Sequence, residues 1–131
     1  MPMVRSFCQL LYVWILLLPS LGFAQGSPEI KGIWSIPDAT TRGRPSFLTV
    51  SETGSQFLII SLDASGVGWD ALLGFREGSI ANTCTVVSTV TACYRVKIIS
   101  EIKIEATVES CAPEEDCLWT KGESFIANRI F

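Results

Sequence analysis

The cleanest pattern in the chain runs from Tyr94 to Glu109. Tyr94, Val96 and Ile98 fall on one face with Arg95 and Lys97 on the other; then Ile102, Ile104, Ala106 and Val108 oppose Lys103, Glu105, Thr107 and Glu109. A period of two belongs to a strand with one face buried and the other in water, and a helix cannot satisfy it. The parity is unbroken across Ser100, so the segment reads either as one long bent strand or as a hairpin turning near Ser100-Glu101. The hairpin is preferred, because single strands of that length are unusual in a small domain.

The same reading extends to the rest of the chain. Ile30 to Ile36 is a strand stopped by Pro37, and 38–45 is polar and rich in breakers, hence a loop. Ser46 to Glu52 resumes as a strand with imperfect alternation, since Leu48 and Val50 share a face with Glu52. Phe57 to Arg76 reads as a hairpin around Asp63-Ala64-Ser65-Gly66 and as the centre of the core. Its first arm is apolar on both faces, which predicts cover on both sides. In its second arm Trp69, Ala71, Leu73 and Phe75 form the expected core face, while Asp70 points to solvent and Gly74 marks a bulge or a close backbone approach. Ile80 to Val87 and Ser124 to Phe131 complete the set, with Ile130-Phe131 expected to tuck into the core. About eight short strands with turn signals every 8 to 12 residues or so predict an all-β fold, a single small antiparallel barrel or sandwich.

The first 24 residues stand apart. Arg5, an apolar run from Leu10 to Leu18, Pro19 and the small residues Gly22 and Ala24 have the order of a secretory signal peptide, with cleavage after Ala24. The run falls short of the ~20 residues a membrane span needs. The domain is then 25–131, with nine Lys and Arg against thirteen Asp and Glu, a formal net charge of −4. No basic run is present to meet phosphates, which argues against nucleic acid as a partner. Cys8 leaves with the leader, and Cys84, Cys93, Cys111 and Cys117 remain for an oxidising, secreted or periplasmic address. Of three formal pairings, nearest neighbours are preferred, Cys84 with Cys93 and Cys111 with Cys117, because each pair brackets a plausible turn. A zinc site is disfavoured by the spacing and by the absence of His.

Chemistry is sparse. Without His and with the thiols oxidised, Ser-His and Cys-His nucleophilic sites are excluded. Asp63 and Asp70 flank the central turn, and a carboxyl pair is what glycoside hydrolysis uses; Asp63 is more simply a turn former that hydrogen-bonds its own backbone. Glu114-Glu115-Asp116 could offer oxygen ligands to calcium but lacks the EF-hand spacing, so no metal and no cofactor is expected. The aromatics are read first as core, and the residues singled out for ligand or surface binding are Trp34, Trp69, Asp70 and Trp119.

Two resemblances arise on these residues. Gly32-Ile33-Trp34 resembles the Gly-x-Trp opening of lipocalin and avidin-type barrels, which implies a small hydrophobic ligand or biotin. Gly32-x-Trp34, followed by Asp63-Ala64-Ser65-Gly66-Val67-Gly68-Trp69, Gly74 and the closing Asn128-Arg129-Ile130-Phe131, is similar to uncharacterised bacterial secreted β modules. Those often carry a second aromatic after the hairpin Trp, where this chain has Asp70, and the likeness implies no activity. The expectation is a non-catalytic extracytoplasmic β domain that acts by binding or as a structural module, the alternative being a barrel that carries a small hydrophobic molecule; partners are a protein or such a ligand.

Overall fold

The computed structural model describes residues 26–37, 39, 46–63 and 68–131. The expected leader and its expected cleavage site after Ala24 lie outside the described residues. Eight strands follow one another: β1 (Gly32–Ile36), β2 (Ser46–Thr53), β3 (Gln56–Asp63), β4 (Trp69–Glu77), β5 (Ile80–Val87), β6 (Thr91–Ser100), β7 (Lys103–Ala112) and β8 (Ser124–Arg129). Each pairs antiparallel with its neighbour in the chain. β8 returns to β1 through Trp34–Arg129 and Ser35–Asn128, so the sheet is a closed up-and-down barrel rather than a sandwich. Closure leaves no strand edge open to further pairing. Both nearest-neighbour disulfides are formed, Cys84–Cys93 and Cys111–Cys117.

The two ends of the barrel differ. At one end the links are the tight turns Gly54-Ser55, Gly78-Ser79 and Glu101-Ile102, the last of which makes β6 and β7 a hairpin. This end is plugged. Trp34 is fully buried and its indole N–H donates to the Ile30 carbonyl at 2.8 Å. Gly32 has φ +140, and a Cβ there would run into the Phe131 carbonyl oxygen. Only glycine therefore lets the last residues close over β1, where the Ile33 N–H donates to Phe131 O at 2.9 Å and the Ile130 N–H to Ile33 O at 2.8 Å. Beside this lid the Arg76 guanidinium meets the Glu52 carboxylate at 2.7 Å, and both side chains are buried. Glu52 also accepts from the Ile30 N–H at 3.2 Å, and the Arg76 Nε–H donates to Gly78 O at 2.8 Å. The imperfect alternation of β2 thus has a cause: Glu52 faces inward because an inward arginine on β4 receives it.

Four expectations are corrected here. In β4 the inward residues are Asp70, Leu72, Gly74 and Arg76, and the Trp69, Leu73 and Phe75 side chains face outward, exposed. The reason lies at Gly74, whose missing Cβ leaves room for the Phe57 ring and the Asn82 carbonyl, each 2.5 Å from where it would stand. An eight-stranded barrel is barely wide enough for its own side chains, and one ring fills this level. In β3 only Phe57 and Ile59 are buried, while Leu58 and Leu62 are exposed, so nothing among the described residues covers the outer face. The C-terminal pair is held by its backbone and not by burial, for Ile130 and Phe131 are both exposed. Ile102 likewise sits in the turn and in water instead of continuing the inner stripe.

Candidate functional site

At the opposite end lie Ile36 of β1, Ser46 of β2, Asp63 of β3 and Trp69 of β4, with the β5–β6 link and the β7–β8 connection. Between them the barrel opens into a cavity of about 260 Å³. Its walls are unlike. Ser61 and Asp63 of β3, Asp70 of β4 and Thr83 and Thr85 of β5 make one side polar. Across from them Trp119 stacks on Phe125 with ring centres 4.2 Å apart, and Phe125 meets Tyr94 edge-on at 6.1 Å. Leu72, Val96 and Ile104 contribute to its apolar lining.

Each wall is fixed locally. Thr85 Oγ1 donates to the Val90 carbonyl at 3.1 Å and accepts from the Ala92 N–H at 3.0 Å, which pins the short β5–β6 link. The Asp63 N–H donates to Gly68 O at 3.1 Å, and the Asp63 carboxylate occupies the space a Gly68 Cβ would need. Its side chain borders the cavity, and the turn expected of it, 64–67, lies outside the described residues. The Cys111–Cys117 disulfide ties the β7–β8 connection around the exposed 3₁₀ turn Glu114–Asp116 and lines the mouth itself, next to Leu118 and Trp119. Cys84 and Cys93 stand opposite each other across β5 and β6.

Two groups set the chemistry. The Tyr94 phenol is held above its ordinary range, first by burial and then by the negative charge of Asp70, so at neutral pH it keeps its proton and can donate. Thr83 is 2% exposed, and its hydroxyl has no hydrogen-bond partner although it lines the cavity. A buried, unmatched hydroxyl costs free energy until something in the cavity bonds to it. The arrangement can therefore hold a compact molecule, its flat apolar part against the aromatics and its polar part against Thr83, Tyr94 and the β3–β4 carboxylates.

Of the residues singled out from sequence, Trp69, Asp70 and Trp119 come together around the mouth. Trp34 does not, since it belongs to the plugged half of the core. Asp70 points to the cavity and not to solvent, the consequence of the reversed β4 parity. Sequence reasoning passed over Thr83 and Thr85, for which a signal existed: Cys84, between them, must face the opposite way if they face inward. Among the described residues no cluster of three His, Cys, Asp or Glu side chains is placed to hold a metal ion, and no helix is long and apolar enough to cross a membrane. Comparison with family models, with curated proteins and with solved structures returns no match.

Proposed function

We propose that the chain is a secreted or periplasmic, non-catalytic binding module, released by cleavage after Ala24, and that the mouth of its barrel takes a compact, partly polar small molecule. The observation that carries this reading is the cavity itself, open at one end, closed by packed side chains below, and bordered by the orphan Thr83 hydroxyl. Its volume of about 260 Å³ lies just below the range of ligand pockets, roughly 300 to 1,000 Å³, so a single ring system with one or two hydrogen-bonding groups fits better than a long acyl chain. The Gly32-x-Trp34 likeness to lipocalin and avidin-type barrels supports the same reading. Support for an extracytoplasmic address comes from the leader pattern and the two disulfides.

Native mass spectrometry of the isolated protein, with thermal shift against a series running from indole to 1-naphthol and 1-anilinonaphthalene, tests the reading. A retained molecule or a saturable shift is expected with wild type, and a shift at least threefold weaker with the near-isosteric Thr83→Val. No retained molecule and no shift across the series would sink it. A hydrolytic role for Asp63 and Asp70 is abandoned if Asp63→Asn and Asp70→Asn leave any detected activity unchanged.

A further inference from the structure

The outer surface of the barrel is divided. From β2 to β4 the outward positions form cross-strand rows, Phe47–Leu62–Trp69 nearest the mouth and Leu58–Leu73 nearer the plugged end, with Phe75 beyond. All six side chains are exposed, Trp69 at 53% and Phe75 at 62%. The outward positions between them, Thr49, Ser51, Ile60 and Ala71, carry no charge. On β6 and β7 the outward positions are instead Arg95, Lys97, Lys103, Glu105 and Glu109. Apart from Glu77, exposed at the end of β4 beyond Phe75, the formal charges on the described strands thus sit away from this wall.

From these exposures and ~150–250 Å² for a whole aromatic side chain, the wall leaves on the order of 600 Å² of apolar surface in water once neighbouring Ile33 and Val87 are included. That is at the top of what the largest patch on an ordinary monomer shows, roughly 300 to 600 Å². We infer that this wall is the interface of a symmetric homodimer, in which the β2–β4 face of one copy packs on the same face of a second. Two such walls bury about 1,200 Å², the lower bound for a stable interface. The charge layout favours a second copy over a charged partner. Two acidic chains meet over the middle of this wall without bringing like charges together, whereas a protein recognised through charge would find only Glu77, at its edge, to pair with. A two-fold contact needs only a surface that complements itself, which a sheet face of mixed large and small apolar side chains, charged only at its Glu77 edge, provides.

Sedimentation velocity from 1 to 100 μM decides it, on protein purified from cells expressing the full chain. Wild type is expected to pass from monomer to dimer in that range. Phe75→Glu and Leu58→Lys, both at exposed outward positions, should each weaken dimerisation by at least tenfold while leaving the circular dichroism spectrum unchanged, and Arg95→Glu should have no effect. Should the wall variants fail to fold, hydrogen exchange of wild type supplies the test, with slower exchange at high concentration expected on β3 and β4 and not on β7. A wild type that stays monomeric to 100 μM overturns the inference, as does a dimer indifferent to both wall variants. A monomer that cosediments with phosphatidylcholine vesicles also overturns it and assigns the wall to lipid.

Discussion

At the scale of single residues the site turns on groups whose neighbours alter their chemistry. Tyr94 is the instructive one, since it is the only tyrosine among residues 25–131. Burial and then Asp70 raise its pKa, so the folded protein keeps the phenol proton to higher pH than the unfolded chain. The sign follows: the folded state binds more protons above the ordinary phenol range, so this contribution to stability is complete below about pH 10 and is lost as pH rises through the folded value. Ultraviolet titration of phenolate absorbance should place Tyr94 above 10, and Asp70→Asn should move it down; a Tyr94 that titrates at or below the free value removes the electrostatic link between these two residues. Asp70 was legible in the sequence as a candidate but not in its direction. The alternation around it supports either parity, and only Gly74 with Phe57 inside the barrel makes one of them possible.

Among elements, β2 and β4 are coupled by the Glu52–Arg76 pair, which is buried at the plugged end and leaves Arg76 Nη2 without a partner. Burying such a pair is close to neutral against an apolar pair of similar size, but removing one partner strands the other charge at a cost of about 3 to 5 kcal/mol. Arg76→Met should therefore lower unfolding stability by about 3 kcal/mol, and Glu52→Leu added to it should restore most of that, as read from urea midpoints at constant m. If Arg76→Met changes nothing, the pair is solvated and does not organise the floor. The disulfides act at the same scale in different places. Cys84–Cys93 crosses two paired strands, whereas Cys111–Cys117 shapes the mouth. Cys111→Ser with Cys117→Ser should thus leave the barrel folded, cost about 2 to 3 kcal/mol, and weaken ligand-dependent thermal shift more than the double Ser variant of Cys84 and Cys93. Both pairings were readable from spacing because each pair flanks a turn.

For the whole molecule the decisive contact is the return of β8 to β1. The last two residues contribute three backbone hydrogen bonds to it, from Ile33 N–H to Phe131 O and from the Ile130 and Phe131 N–H groups to Ile33 O, while their side chains lie in water. At roughly 0.5 to 1.5 kcal/mol net for each bond, deleting Ile130-Phe131 should reduce stability by about 2 kcal/mol and speed hydrogen exchange along β1; an unchanged urea midpoint would mean that the inner face alone keeps the barrel shut. What the sequence by itself determined was local. Period-two alternation, turn residues at short intervals and cysteines flanking turns specify strands, their order and the disulfides, because each depends on neighbours a few residues away. The tertiary structure alone decided barrel over sandwich, the inward face of β4, the apolar wall and the cavity. Those depend on how many strands close on one another and how much room remains inside, a packing limit shared by residues as distant as Gly32 and Phe131.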